Sequence, residues 1–335
     1  MILATFPFRA FRSAAPWLCC LLVLGAASLE AADSGGVTRG PQASTASKQE
    51  LAGGAAIRRD ASLVLVNASV TDPFGRPITN LDESNFRVFD DNAEQEIVRF
   101  SSNDVPASIG LILDTSGSME DKFGESRDAL IQFLQTANPQ DEFFLAEFSD
   151  KVRLDGQFTQ NVDEIESRMM SLVPGGKTAL FDALFLGMNE MKQAINKRKA
   201  LLIISDGGDN HSWHRKQEVV RNLKESDVQL YAIGIYEPGG NCGTPEECSG
   251  PSLLKDLSRT SGGQAFRVSR LSDLIDIATK LSILLRSQYL IAYAPSKPSR
   301  DAKWHKIKVS LKPPKGLPPL TVHARSGYFA AATPD

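Results

Sequence analysis

Acidic and hydroxyl side chains follow two apolar segments of this chain in a pattern that suits a hard metal ion. The first segment ends in Asp114-Thr115-Ser116-Gly117-Ser118, and the second ends in Ser205-Asp206-Gly207-Gly208. Between them, Thr178 closes a glycine-containing loop, Gly175-Gly176-Lys177-Thr178. Carboxylate and hydroxyl oxygens suit Mg²⁺, and a cation explains how two acids share one site without one becoming protonated. The predicted ligands are Asp114, Ser116, Ser118, Thr178 and Asp206.

The elements around these residues must bring the ends of distant segments together. Residues 107–114 and 200–206 are apolar runs that predict buried strands, and residues 124–137 have the apolar periodicity of a helix. Strands that alternate with helices predict a parallel sheet with helices on both faces. Ligands bind beyond the carboxyl ends of such strands, which is where Asp114 and Asp206 fall. The expected fold class is α/β, with a doubly wound, mostly parallel sheet.

Both ends of the chain alternate between apolar and polar residues, which predicts short strands. Neither end has enough apolar residues for a core of its own, so we expect the two to pack together as one β-sandwich beside the α/β domain. The predicted domains are an N-terminal β segment at 57–105, the α/β domain at 106–287 and a C-terminal β segment at 288–330.

The first residues have the composition of a secretory signal. Arg9 and Arg12 precede an apolar run at 14–27, and small residues follow it. The run is shorter than the roughly 20 residues that span a membrane, which disfavours an uncleaved anchor. We expect a signal peptide at 1–32, a disordered linker at 33–56, and a secreted or periplasmic mature chain without a membrane span.

Two cysteines, Cys242 and Cys248, lie in a segment rich in glycine and proline at 239–251, which predicts a surface loop. In an oxidising compartment such a pair favours a disulfide, with two free thiols as the alternative. A metal site is disfavoured because two cysteines do not complete a tetrahedral ligand set.

Together, Asp114-x-Ser116-x-Ser118, Thr178 and Asp206 resemble the metal-ion-dependent adhesion site of von Willebrand A and integrin I domains. The resemblance covers about 106–286. It implies that the serines and the threonine contact the ion directly or alternate with water, and that the aspartates often bind through water. The wider layout resembles exported bacterial proteins called VWFA-related, in which a segment like 70–78 precedes the A domain and segments like 288–295 and 325–329 follow it.

These residues also allow other interpretations. Without Thr178 and Asp206, the Asp114 motif would also fit a helix cap. A phosphate-binding loop at 175–178 is disfavoured because Ser171 stands where that motif requires glycine. His211 and His214 are three residues apart, but the composition around them favours exposed loop positions over metal ligation.

The composition fits a globular protein that does not bind nucleic acid, because Lys+Arg number 37 against Asp+Glu 40, with no basic excess. A ligand set completed by hydroxyls leaves the ion under-neutralised, which favours a carboxylate from a partner in an open coordination position. We therefore expect a non-enzymatic protein-binding module, for adhesion or assembly, that uses Mg²⁺, or Mn²⁺ or Ca²⁺ in its place. The alternatives are a metal-dependent phosphate or ester hydrolase and a structural domain with a vestigial ion. The sequence does not set the oligomeric state.

Overall fold

A computed structural model describes residues 63–236, 244–297, 299, 301–312 and 314–330, which belong to one compact unit. The predicted signal peptide, the predicted linker and Cys242 lie outside these residues. Cys248 is disulfide-bonded, and Cys242 remains its predicted partner. None of the helices in the described ranges is long and apolar enough to cross a membrane.

The elements are numbered along the chain. The strands are β1 (Val64–Thr71), β2 (Phe86–Asp90), β3 (Ala93–Gln95), β4 (Ile97–Ser101), β5 (Ala107–Asp114), β6 (Glu142–Phe148), β7 (Val152–Thr159), β8 (Arg198–Ser205), β9 (Val228–Ile235), β10 (Ala265–Val268), β11 (Tyr289–Tyr293), β12 (Trp304–Leu311), β13 (Thr321–Ala324) and β14 (Gly327–Phe329). The α-helices are α1 (Phe123–Gln135), α2 (Val162–Met169), α3 (Leu180–Glu190), α4 (Lys216–Glu225), α5 (Pro245–Ser261) and α6 (Leu274–Arg286). Short 3-10 helices lie at Glu83–Asn85, Gly117–Lys122, Met191–Gln193 and Leu271–Asp273.

A six-stranded sheet in the order β10-β9-β8-β5-β6-β7 forms the centre of the molecule. All its neighbours pair in parallel except β7, which runs antiparallel to β6 at the edge. One apolar cluster joins the sheet to α1, α2 and α6, and a second joins its other face to α3, α4 and α5. Because both faces are covered, β5 and β9 are buried at every position. The predicted α/β class is confirmed.

Two four-stranded antiparallel sheets, β13-β1-β11-β4 and β14-β12-β2-β3, account for the two ends of the chain. Each sheet combines strands from the N-terminal segment with strands from the C-terminal segment. One apolar core, which includes Val66, Phe86, Tyr289 and Ile307, is shared by strands from both. The predicted β-sandwich is therefore present, while the assigned domain limits remain a prediction.

The two chain crossings between the sandwich and the central sheet lie side by side, and Arg198 holds them together. Its buried guanidinium donates through Nη1 to the carbonyl of Val105, at 3.2 Å, and to the carbonyl of Leu285, at 3.1 Å. Val105 precedes β5 and Leu285 lies in the last turn of α6. Gln288, also buried, donates to Gln229 and to the Tyr231 hydroxyl on β9. Polar side chains thus fix both junctions.

One part of the predicted cysteine loop is wrong. Helix α5 begins at Pro245, inside the segment 239–251 that was expected to be a loop, so Cys248 lies in a helix. Thr244 caps this helix by accepting a hydrogen bond from the Glu247 N–H at 3.2 Å, and proline occupies the first helical position. The segment has the composition of a loop, rich in glycine, cysteine and proline, although a helix starts within it.

The close packing of the central sheet predicts a strong effect at Gly110 on β5. A Cβ there would collide with the Phe144 ring and the Leu201 side chain, whereas a Cβ at Gly124 in α1 meets nothing within 4 Å. We expect Gly110→Ala to lower the free energy of unfolding by about 1–3 kcal/mol, because overpacking forces the core to shift. Gly124→Ala is the matched control, and it should raise that free energy by about 0.5–1 kcal/mol. Urea unfolding measures both, and a Gly110→Ala midpoint equal to that of wild type would contradict the packing argument.

Candidate metal centre

Asp114 lies at the carboxyl end of β5, beside the end of β8. In the parallel register Leu113 faces Ile204, which places Asp114 beside Ser205. The Ser205 hydroxyl donates to Asp114 Oδ2 at 2.6 Å, and the Ser116 N–H donates to Oδ1 at 2.9 Å. The Asp114 side chain is fully buried. Its carboxylate is thus oriented by one hydroxyl and one backbone amide, each from an adjacent segment.

The two serines of the motif form the start of the 3-10 helix that follows β5. Ser116 is buried and Ser118 is exposed, and their hydroxyl oxygens are 3.2 Å apart. Neighbouring oxygens around an octahedral Mg²⁺ ion, with bonds of about 2.1 Å, lie roughly 3 Å apart. The spacing of these hydroxyls therefore suits two adjacent ligands of such an ion.

Thr178 is brought to the same edge by contacts among loops. The Gly175 N–H donates to the Thr115 carbonyl at 2.7 Å, and the Gly117 N–H donates to the Gly176 carbonyl at 2.9 Å. Thr178 itself is buried, and its N–H donates to Asn210 Oδ1 at 2.9 Å. Backbone bonds therefore connect the loop of Thr178 to the loops that follow β5 and β8.

Asp206 comes directly after β8 and is almost completely buried. Its Oδ2 lies 3.6 Å from the Lys122 ammonium, whose side chain is 20% exposed. Its Oδ1 accepts a long hydrogen bond, 3.4 Å, from the Gly208 N–H. Lys122 was not expected at this site. Its position, at the end of the 3-10 helix that starts with the motif serines, gives no sequence signal that it would turn back to Asp206.

The surroundings of Asp114 disfavour its ionised form in the protein alone. Burial, together with the charge of Asp206, raises the pKa of Asp114 to about 7, although hydrogen bonds from Ser116 and Ser205 act in the opposite direction. A divalent cation among these groups would remove the repulsion. The donors present, two carboxylates and three hydroxyls, fit a hard ion such as Mg²⁺. The ligand roles of the five residues remain a prediction.

Two neighbouring residues are half-buried, although His214 was expected to be exposed. Asp209 accepts hydrogen bonds from the Phe181 N–H at 3.2 Å and the Ser212 hydroxyl at 2.5 Å. His214 is half-buried as well: its ring stacks on Phe185 at 3.9 Å between centroids, and its Nδ1 lies 2.7 Å from Asp182. Both residues anchor the loop after Asp206 onto helix α3. His211 is exposed, as expected.

Comparison with known proteins gives the class of the fold. The model of the von Willebrand factor type A domain matches residues 108–280, just over half of the chain, and the chain belongs to this family.

The chain is also similar to inter-alpha-trypsin inhibitor heavy chain H4. It is 31% identical to the Bos taurus protein over 152 residues and 26% identical to the Sus scrofa protein over 146 residues. These matches cover 40% and 39% of this chain and 16% of each relative, so the chain spans about a sixth of the length of the curated relatives it matches.

Among solved structures, a von Willebrand factor type A protein from Catenulispora acidiphila aligns with a TM-score of 0.48 and 12% identity, covering 83% of this chain and 76% of that one. BatB from Bacteroides thetaiotaomicron aligns with a TM-score of 0.44 and 16% identity, covering 54% and 100%.

The raised pKa of Asp114 predicts how pH affects the protein in the presence of a chelator. Between about pH 4 and about pH 7 the native state holds a proton on Asp114 that the unfolded state has lost, so the free energy of unfolding falls as pH rises. We expect Asp114→Asn to lack this fall, since its amide does not ionise. Chemical unfolding at a series of pH values in chelator measures the effect. Glu120→Gln, which changes an exposed acid in the same segment, should retain the wild-type slope. Parallel curves for wild type and Asp114→Asn would contradict the prediction.

Proposed function

We propose that this protein is an exported module that binds a protein partner through a divalent cation, Mg²⁺ or in its place Mn²⁺ or Ca²⁺, held by the residues of the candidate metal centre. The observation that carries the proposal is the pair of carboxylates, Asp114 and Asp206, buried together at the carboxyl ends of adjacent parallel strands. Such a pair is costly without a cation. Membership of the von Willebrand factor A family supports an interaction module as the role of the domain.

The donor set supports a carboxylate as the partner's contribution. Three of the five predicted ligands are neutral hydroxyls, so only two acids would balance an ion of charge +2. One of these acids, Asp206, is also paired with Lys122. An anionic group from a partner would complete the charge balance. When bound, the cation supplies the attraction for that group, while Asp114 and Asp206 hold the ion and the serines and Thr178 orient it.

The surface around the centre also favours a protein partner. Trp213 lies in the loop after Asp206 and is 92% exposed, and Val173 precedes the loop of Thr178 and is 80% exposed. Exposed aromatic side chains beside a charged centre are typical of the residues that dominate protein interfaces. The backbone N–H of Trp213 donates to Asp182 at 3.0 Å, which anchors the loop that presents this side chain.

A metal-dependent hydrolase is the alternative function. It would need a general base near the ion, and the nearby histidines do not favour it. His214 is occupied by Asp182 and by stacking on Phe185, and His211 is exposed. Turnover of a generic phosphate or ester substrate by the purified protein, lost in chelator, would favour the hydrolase over the binding module.

Thermal unfolding tests the metal. Wild type should melt at a higher temperature in millimolar Mg²⁺ than in chelator, by an amount that corresponds to about 2.7 kcal/mol when the free ion is 100 times its dissociation constant. Asp114→Ala should lose this response and still fold, because β5 and β8 are stabilised by apolar burial. Glu120→Ala is the matched control and should respond like wild type. A wild type that is indifferent to the ion, or an Asp114→Ala variant that responds equally, would overturn the assignment.

Partner capture tests the binding surface separately from the metal. Proteins retained from an exported fraction in Mg²⁺ should be released by chelator. Trp213→Ala should retain the thermal response to Mg²⁺ and yet lose at least tenfold in partner affinity, since truncation of a central aromatic side chain typically costs 2 kcal/mol or more. Retention that is unaffected by both chelator and Trp213→Ala would show that this face is not the binding surface.

A further inference from the structure

A second cluster of metal-binding side chains lies in the β-sandwich, apart from the von Willebrand A centre. Strand β2 ends at Asp90, and Asp91 and Asn92 form the tight turn into β3, both with positive φ, 45° and 69°. Aspartate and asparagine tolerate this conformation better than other residues with a side chain. Strand β12 pairs with β2 so that Ile307 faces Asp90. His305, two residues earlier on β12, therefore lies beside the turn.

Three ligand atoms converge in this cluster. His305 Nδ1 is 2.8 Å from Asp91 Oδ2 and 4.0 Å from Asp90 Oδ1, and one atom of each of the three residues lies within 4.8 Å of the others. Ligands of a tetrahedral Zn²⁺ ion, with bonds of about 2.0–2.1 Å, are roughly 3.3 Å apart. Small side-chain adjustments would bring the three atoms to that spacing.

The carboxylate of Asp90 is fixed with one oxygen left for a ligand. Its Oδ2 accepts hydrogen bonds from the hydroxyls of Tyr293 and Tyr328, each at 3.0 Å. Its Oδ1 has no hydrogen-bond donor among the residues that the structure describes, and its closest cationic neighbour is His305 Nδ1 at 4.0 Å. The side chain is only 9% exposed. The Oδ1 oxygen is therefore available as a ligand for a metal ion.

The other two side chains are oriented in the same way. The Lys306 N–H donates to Asp91 Oδ1 at 2.9 Å, which leaves Oδ2 directed at His305. On the far side of the imidazole, His305 Nε2 lies 3.3 Å from Asp301 Oδ1. Histidines that bind a metal through one ring nitrogen commonly donate the other N–H to a carboxylate in this manner, which fixes the tautomer and the ring.

We propose that Asp90, Asp91 and His305 bind one Zn²⁺ ion, with Asp301 as the residue that positions His305. A nitrogen donor beside two carboxylates suits Zn²⁺ and disfavours Mg²⁺, which prefers oxygen alone. Charge supports a dication over a proton. With Asp301 the cluster holds three carboxylates, and a protonated His305 offsets one of them whereas Zn²⁺ offsets two. Asp91 is 55% exposed, so the ion can enter from solvent.

The site would connect the two ends of the chain. Asp90 and Asp91 belong to the N-terminal hairpin, and His305 belongs to the C-terminal strand β12, more than 200 residues away. An ion bound by all three would hold the β2–β3 turn against β12. Zn²⁺ should therefore stabilise the sandwich, as any ligand that binds only the folded state does.

Zinc binding by the purified protein tests this site. After treatment with chelator and dialysis, titration with Zn²⁺ against a chromophoric chelator, in excess Mg²⁺, should show one tightly held ion per chain. The Asp114→Ala variant should bind the same ion, which separates this site from the proposed function. Co²⁺ in place of Zn²⁺ should give the visible absorption of a tetrahedral site with nitrogen and oxygen ligands.

Variants identify the ligands. His305→Gln should lose the ion, and Asp301→Asn should weaken binding by about 10- to 100-fold while still giving one ion per chain. Asp91→Asn should also lose it, and this variant keeps both the turn and an oxygen acceptor for Lys306, so it tests the site even where His305→Gln fails to fold. His211→Gln, at an exposed histidine on the α/β domain, is the control and should bind as wild type. A wild type without a tight site would overturn the proposal. So would Asp91→Asn and a folded His305→Gln that both bind Zn²⁺ like wild type. The cluster would then be a protonated His305 paired with its carboxylates.

Discussion

The structure around the candidate metal centre depends on one electrostatic constraint, the burial of two carboxylates at the ends of adjacent parallel strands. Burial, followed by repulsion from the Asp206 carboxylate, raises the pKa of Asp114, because water cannot screen either charge there. In the protein alone, the Lys122 ammonium, 3.6 Å from Asp206, is the nearest balancing charge. A lysine with 20% of its side chain exposed can withdraw toward solvent when a more highly charged ion arrives.

The fold separates this electrostatically costly edge from the part of the molecule that stabilises it. The site lies at the carboxyl ends of β5 and β8, whereas the chain crossings to the sandwich lie at the opposite ends, where Arg198 binds the carbonyls of Val105 and Leu285. Apolar strands between the two ends carry the stability. Because the strands provide the stability, the loops at the site can hold buried charges and exposed side chains such as Trp213.

Elements were predicted correctly where burial leaves a clear pattern in the sequence, and they were missed where it does not. Strand β5 was predicted with its observed limits, because burial on both faces requires an unbroken apolar run. Strand β7 was missed, since it lies at the sheet edge and mixes charged residues with half-buried apolar ones. The start of α5 was missed although Thr244 and Pro245 are a known helix-start signal, because the glycine and cysteine content around them favoured a loop.

The same distinction separates the two candidate sites. The residues of the candidate metal centre lie in short motifs after predicted strands, so their spacing in the sequence predicts the site. Asp90 and His305 are joined only by the pairing of β2 with β12, and that register cannot be deduced from either segment alone. Their chemistry differs as well: oxygen donors alone favour Mg²⁺, whereas an imidazole held by a carboxylate favours Zn²⁺. The imidazole donor therefore distinguishes the second proposed site from the first, because Mg²⁺ prefers oxygen ligands whereas a nitrogen donor favours Zn²⁺.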